Sequence, residues 1–357
     1  MERRSPLLDE HIRLGAKLTN FAGWEMPLSY AGVVAEHKCV RGEVGVFDVS
    51  HLGKLRVSGG EGGRALDEAL TADVEELAVG RAAYSLVLAE DGGCIDDVFV
   101  YRLGRAEWMV VPNAANVAAV ADAIRSSGAD PVDEWDRWAI LAVQGPRSFE
   151  LFDAAWPEAH APELALHHWR ELEVEGSTGL VARTGYTGER GFELYAPAEV
   201  AAGAFNRLLE LGGRPVGLGA RDTLRLEMGY PLYGHELGRD INPLEAGLEW
   251  AMAWDKPFRG RDALAEARRA GVGRRIVGVR CTERGVPRQG HAVLHEDIPV
   301  ATVTSGNFSP TLEVGIALAL GAVATLPGLD SQVAIGARKR RIEGIIVKPP
   351  FLKRPSR

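Results

Sequence analysis

Beyond Ala270 the helical period disappears from the chain. RRIVGVRC, HAVLHE, PVATVTSG, VGIALALG, QVAIG and IEGIIV follow one another between Arg274 and Val347, each a short apolar run set off by glycine or turn residues. Strands at that spacing, with no helical pattern between them, bury their apolar faces by forming a small barrel or sandwich. The end of the chain is therefore a separate β domain. It is preceded by a helix over Asp262–Ala270 that closes on Gly271, where a missing Cβ suits a helix stop.

Upstream the pattern is mixed. A charged helical period runs from Leu8 to Leu18, followed by the aromatic turn FAGWEMPLSY, a helix over Val33–Arg41 and a strand-like alternation in GVFDVSHLGKLRV. A short helix spans Gly62–Leu70. AAYSLVLAE and CIDDVFVYRL are then joined by Asp91-Gly92-Gly93, a strong hairpin signal. WMVVP is a further strand, and the helix NAANVAAVADAIRSSG stops at Gly128. Next come the strand Trp138–Pro146, the hairpin ELEVEGSTGLVARTGY, the strand FELYA, a helix over Ala198–Leu211 and a glycine turn feeding a helix in GLGARDTLRLEMG. This order gives antiparallel sheets with helices to one side, an α+β class. A length of 357 residues suits two or three such domains.

Several function classes are excluded by composition. The 41 basic and 49 acidic side chains leave a net charge of −8, which gives no general attraction for nucleic acid or anionic lipid. Cys39, Cys94 and Cys281 are too scattered for a disulfide scaffold or a CxxC site. The 9 histidines form no HExxH, and His167 with His168 lack helical ligand spacing, so no metal is expected. MERRSPLLDEHIRLG has no apolar core or cleavage site, and Val314–Leu329 is short and glycine-broken for a membrane span. A soluble, cytoplasmic protein is the expectation.

Three segments carry candidate chemistry. In CIDDVFVY, alternation puts Cys94, Asp96, Val98 and Val100 on one face and Ile95, Asp97, Phe99 and Tyr101 on the other. The two aspartates thus form no carboxylate pair, and each sits among apolar neighbours. Either they are wet at the hairpin end, or one is buried for a purpose. In TGYTGERGFELY the glycines mark a tight loop open to an approaching molecule. Glu193 follows between Phe192 and Leu194, as an acceptor for two parallel N–H donors or as the partner of an arginine. In GLGARDTLRLEMG, Arg221 lies in the first helical turn and Arg225 one turn on. Helix amides plus a guanidinium suit a carboxylate or phosphate, unless Arg221 pairs with Asp222 or Glu227. The basic run Arg338–Arg341 reads as a solvated turn, and Trp24 with the other tryptophans as core.

FAGWEMPL, GVFDVSHLG, CIDDVFVY, VPNAAN, AVQGP, TGYTGERGFE, GLGARDTLRLE, LYG and TSGNFSPTL occur in the order and spacing of one family. Over about residues 7–351 the chain resembles the T-protein of the glycine cleavage system, a tetrahydrofolate-dependent aminomethyltransferase. The resemblance implies a three-domain cloverleaf around a central folate cavity. A discontinuous α+β domain (1–50 and 140–255) would bind folate, a ferredoxin-like α+β domain (51–139) would carry the catalytic aspartate, and a β-barrel or jelly-roll domain (275–357) would close the chain. It also implies H-protein as a transient partner, bearing the aminomethyl group on its lipoyl arm, and methylenetetrahydrofolate and ammonia as products. By motif, Asp97 would be the catalytic carboxylate, Glu193 would hold the pterin and Arg221 the glutamate end. Tyr84, Asn113, Tyr186 and Leu52 would line the folate cavity.

Arg190 stands where the family usually has Asp, and Leu52 where it has Met after DVSH, a volume-conserving change. The tail PPFLKRPSR lacks an aromatic residue that some relatives carry, leaving Lys353 or Arg354 as tail contacts. Two other activities share the fold. One is a folate-dependent demethylase acting on a small sulfonium or amine, the other a folate-binding regulatory or repair protein. The latter carries a cysteine-containing KGCYxGQE signature where this chain reads TGYTGERGFE.

Overall fold

The computed structural model describes residues 3–337 and 340–353. The chain divides into two compact units, one built mainly from residues up to Arg221, the other from Leu86–Asp97 together with Asp222 onward.

The first unit is organised on a six-stranded sheet in the order Trp169–Val174, Ser177–Ala182, Gly191–Pro197, Trp138–Gln144, Gly45–Asp48, Arg214–Val216. One face is covered by the helices Ser148–Ala155 and Ala201–Glu210. Leu141, Val143, Phe152, Phe192, Leu194 and Phe205 form a dry core there. A three-stranded sheet joins Arg3–Arg4, Trp24–Ser29 and Lys17–Phe21. A five-stranded sheet runs Ala82–Leu88, Cys94–Gly104, Glu107–Val111, Leu55–Ser58, Val132–Asp133.

In the second unit the expected β domain is a closed six-stranded barrel in the order Arg274–Cys281, Val314–Ala322, Ile298–Ser309, Ala292–His295, Gln332–Ala337, Arg340–Val347. Val279, Val293, Val303, Ala319 and Ile335 fill it. Glycine lets its strands pass close to other backbone: a Cβ at Gly306 would lie 2.8 Å from the Pro287 carbonyl carbon.

Two expectations fail locally. The helix expected over Leu8–Leu18 ends at Arg13, because Gly15 adopts φ +69° and Lys17–Phe21 pairs instead with Trp24–Ser29. GVFDVSHLGKLRV is not one strand but two, Gly45–Asp48 and Leu55–Ser58, in different sheets. Of the basic run, Arg338 and Lys339 lie outside the described residues, as does Arg354. Arg340 and Arg341 begin the last strand, and Arg341 is ion-paired with Asp297 and Glu343. Trp24 is buried, as a core residue should be, but Trp250 is exposed and does not fit that expectation. Among the described residues no helix is long and apolar enough to cross a membrane.

Candidate functional site

The strand Gly191–Pro197 is buried along its whole length because both its faces are covered. Phe192, Leu194 and Ala196 point into the helix-covered core. Glu193 and Tyr195 point to the opposite face, in register with Ala142 and Ile140 of the neighbouring strand. On that face Thr184 donates its hydroxyl to Glu193 Oε2 at 2.6 Å. Tyr195 donates to Tyr101 Oη at 3.0 Å, and Tyr101 and Thr184 share a hydroxyl pair at 3.4 Å. Burial pushes the Glu193 carboxyl above its usual range; the Thr184 hydrogen bond, the Arg221 charge and Tyr101 only partly offset this. Hydroxyl groups, of Thr184 and Tyr101, rather than an arginine salt bridge therefore hold Glu193.

Two glycines of the TGYTGERG loop, Gly185 and Gly191, make room for a side chain of the same unit. A Cβ at Gly185 or Gly191 would collide with the amide of Gln144. That amide donates from Nε2 to the carbonyls of Thr184 (3.1 Å) and Phe192 (3.3 Å), and its oxygen accepts from the Thr187 hydroxyl at 2.8 Å. Arg41 clamps the far side, donating to the Thr187 carbonyl at 2.7 Å and to Glu189 at 2.8 Å. Arg190 is exposed. Gly185→Ala should accordingly cost about 1–3 kcal/mol of stability, the usual cost of overpacking, read as a lowered urea midpoint. A native midpoint would mean that Gln144 does not occupy this space in solution.

Tyr186, half-buried in that loop, lies under Arg221, whose guanidinium carbon is 4.6 Å from the ring centroid. In its helix, Leu218–Glu227, both acidic side chains have hydrogen-bond partners of their own. Asp222 accepts from Arg225, and Glu227 accepts from Ser309 and Thr311. The amide of Gly217, just before the helix, is also taken, by Glu36. Tyr84 packs edge-on against Phe99 at 5.8 Å, and Phe99 continues to Tyr101 at 6.3 Å. Asn113 precedes the short 3-10 turn Ala114–Asn116. Leu52 lies in the turn after Gly45–Asp48, its N–H on the Val49 carbonyl at 3.1 Å. The first unit thus brings together Glu193, Arg221 and Tyr186 around one face, with the Tyr84 aromatic row leading to Tyr101.

Asp97 belongs to the second unit. The alternation in Cys94–Gly104 is as expected: Cys94, Asp96 and Val98 are buried, while Ile95, Asp97 and Phe99 are half-buried. Asp96 has no exposure at all, so the reading in which both aspartates are wet does not hold. Cys94 donates its N–H to Gly238 at 3.1 Å. Burial, with the charges of Asp97 and Asp96, pushes its thiol well up. The half-buried phenol of Tyr233 is raised by burial and then by Cys94, Asp96 and Asp97, while Arg239 opposes the shift.

Sequence reasoning missed a buried polar cluster at DVSH. Asp48 accepts from the Ser5 hydroxyl, from the Ser50 N–H at 2.8 Å and from His11 Nε2 at 2.8 Å. Burial raises its carboxyl, but the His11 interaction and the two serines outweigh this and hold it below the usual range. His51 is buried with Nδ1 lacking a hydrogen-bond partner; burial and the Arg221 charge keep it neutral. Lys54 is fully buried, donates to the Ser50 carbonyl at 2.7 Å, and is pushed down to about 7 by burial. The one available signal was an aspartate ending an apolar strand, a position that demands partners.

The chain matches two family models, the GCVT N-terminal domain over residues 7–256 and the glycine cleavage T-protein C-terminal barrel domain over residues 274–353. It is 46% identical to an aminomethyltransferase of Mycolicibacterium paratuberculosis, over 97% of this chain and 96% of that protein. It is 42% identical to one from Herpetosiphon aurantiacus, over 98% of each. The crystal structure of glycine cleavage system aminomethyltransferase T from Bartonella henselae superposes with a TM-score of 0.91 at 31% identity, covering 99% of this chain and 98% of that one.

Proposed function

Because the chain belongs to the glycine cleavage T-protein family, we propose that it takes the aminomethyl group from the lipoyl arm of H-protein and delivers the carbon to tetrahydrofolate. That it is an enzyme, an aminomethyltransferase of the glycine cleavage type, is the premise; the folate, the lipoyl donor and the residue roles are the proposal. The demethylase and regulatory readings are not favoured.

The reaction balances without an oxidant. The carbon loses its bonds to sulfur and to the amine and gains two bonds to folate nitrogens. The two protons displaced there leave on ammonia and on the dihydrolipoyl thiol. Bound tetrahydrofolate supplies the two nucleophilic amines.

Each proposed residue has chemistry that matches its role. Positive charge develops on the aminomethyl carbon as a leaving group departs, and the Asp97 carboxylate stabilises it and orients the attack. Asp97 is also a suitable acceptor for a displaced proton. Asp97 suits this better than Asp96, since it lies on the half-buried face of its strand while Asp96 has no exposure. Glu193 offers acceptors to the amide and amine donors of a pterin edge. Arg221, oriented on the Tyr186 ring, meets the carboxylate of the glutamate end. Tyr84, Asn113, Tyr186 and Leu52 supply the aromatic, amide and apolar surface along the ligand.

The observation that carries the proposal is Glu193, a buried carboxylate held by a hydroxyl within the field of Arg221. The fold gains nothing from burying such a charge, and a donor-rich ligand does. The test uses purified protein, tetrahydrofolate and aminomethyl-loaded H-protein, following methylenetetrahydrofolate and ammonia together. Equal amounts of both, requiring all three components, are expected. Folate binding with no ammonia released would end this reading.

A further inference from the structure

Glu36 joins parts of the first unit that are 181 residues apart. It lies early in the helix Val33–Gly42 and is 3% exposed. Oε1 accepts from the N–H groups of Tyr30 at 2.6 Å and Gly32 at 2.9 Å. Oε2 accepts from the Gly217 N–H at 2.8 Å. The first oxygen does ordinary work, satisfying amides at the start of its own helix. The second plays no part in that capping. It reaches instead the residue that opens Leu218–Glu227, the helix of Arg221.

Backbone meets backbone at that point. A Cβ on Gly217 would run into the Leu28 carbonyl, and one on Gly219 into the Val33 side chain. One turn further on, the Arg221 N–H bonds to the Gly217 carbonyl at 3.3 Å. The start of the helix therefore sets the angle from which Arg221 extends over Tyr186. The other end of the connection is equally fixed. The Tyr30 hydroxyl pairs with His11 Nδ1 at 2.9 Å, and His11 Nε2 with Asp48 at 2.8 Å. Asp48 in turn holds Ser5 and the Ser50 N–H. A hydrogen-bonded line thus runs from the end of the strand Gly45–Asp48 to the helix of Arg221, and Glu36 is its last link.

We propose that Glu36 is a positioning residue for Arg221, fixing the guanidinium where it meets the ligand's terminal carboxylate. This rests on the reading of Arg221 as the residue that binds the glutamate end of folate. Glu36→Gln keeps the shape but sets an NH2 donor against a backbone N–H and removes the negative charge from the helix start.

In the full-length Glu36→Gln protein, the tetrahydrofolate Kd measured by calorimetry should rise about tenfold, the scale of one lost charge-assisted hydrogen bond. Turnover at saturating folate should stay within about twofold of native, since the chemistry itself is untouched. Arg221→Ala should raise Kd alone, and the double variant should bind no more weakly than Arg221→Ala. Tetrahydropteroate, which lacks the glutamate, should bind native and Glu36→Gln protein equally. The inference is overturned if Glu36→Gln binds tetrahydrofolate as native does, if the two substitutions multiply, or if tetrahydropteroate suffers equally. An unchanged Kd in Arg221→Ala strikes the assignment of Arg221 itself, and this inference with it. Should Glu36→Gln fail to fold, Glu36→Asp, too short to span both sides while keeping the charge, takes the same measurements with the same outcomes.

Discussion

Asp97→Asn should lose about two to three orders of magnitude in turnover while binding tetrahydrofolate as the native protein does. The size follows from what the side chain is asked to do: removing one preorganised group aimed at a developing charge costs about 10²–10³ in rate. Asparagine keeps the volume and one acceptor oxygen, so packing in the strand Cys94–Gly104 is preserved. What disappears is the full negative charge and the ability to accept a proton. Both losses fall on the transition state. The effect therefore belongs in kcat and kcat/KM alike, with the folate Kd unmoved. Steady-state assay with aminomethyl H-protein, alongside calorimetry with tetrahydrofolate, separates the two. Native turnover in the variant removes Asp97 from the mechanism. A raised folate Kd with native turnover at saturation makes it a binding residue instead.

The barrel was legible because glycine and β-branched residues recur at strand spacing with no competing helical period. All six expected strands appear, including the long pair Ile298–Ser309 and Val314–Ala322. The alternation around Asp96 and Asp97 was equally readable, being a local property of one strand. What stayed hidden depends on residues far apart in sequence. GVFDVSHLGKLRV keeps a two-residue period through the point where the chain leaves one sheet for another. The turn is dictated by Asp48, whose carboxylate needs Ser5, His11 and the Ser50 N–H around it. Nothing local to DVSH announces His11, 37 residues earlier. The loop TGYTGERG shows its glycines plainly, but their reason, the Gln144 amide, lies about 40 residues upstream. The helix from Leu8 gave way to strand pairing because tertiary contacts override weak propensity once Gly15 takes a positive φ. The family resemblance singles out Glu193 and Arg221 by motif alone, and the Thr184 hydroxyl and the Tyr186 ring beside them are visible only in the fold.

Glu193→Gln should make the free protein more stable at neutral pH and a poorer folate binder. The carboxyl is buried, and burial, opposed by Thr184, Arg221 and Tyr101, leaves its pKa above the ordinary glutamate value of 4.5. A carboxyl whose folded pKa is raised contributes most below the unfolded value and loses that contribution as pH rises through the folded one. Above the unfolded value the native chain must therefore either keep a proton that the unfolded chain releases or ionise in a place that disfavours the charge. Glutamine removes the charge while still accepting from the Thr184 hydroxyl. The gain over native should be absent well below pH 4.5, grow as pH rises, and level off once Glu193 is ionised in the native fold. Each kcal/mol so gained raises the midpoint by about 2–4 °C in a domain of 150–250 residues. Binding moves the other way. A pterin edge offers two donors, and glutamine presents one acceptor and one donor to them. The loss of a charge-assisted hydrogen bond weakens tetrahydrofolate about 10- to 100-fold. Thermal melts from pH 4 to 8, with and without the ligand, read both effects on one sample. A variant less stable than native across that range would show that the ionised carboxylate supports the fold. A variant that binds tetrahydrofolate unchanged would take Glu193 out of the site. The expected pairing of higher stability with lost affinity is the mark of a charge kept for its ligand rather than for the fold.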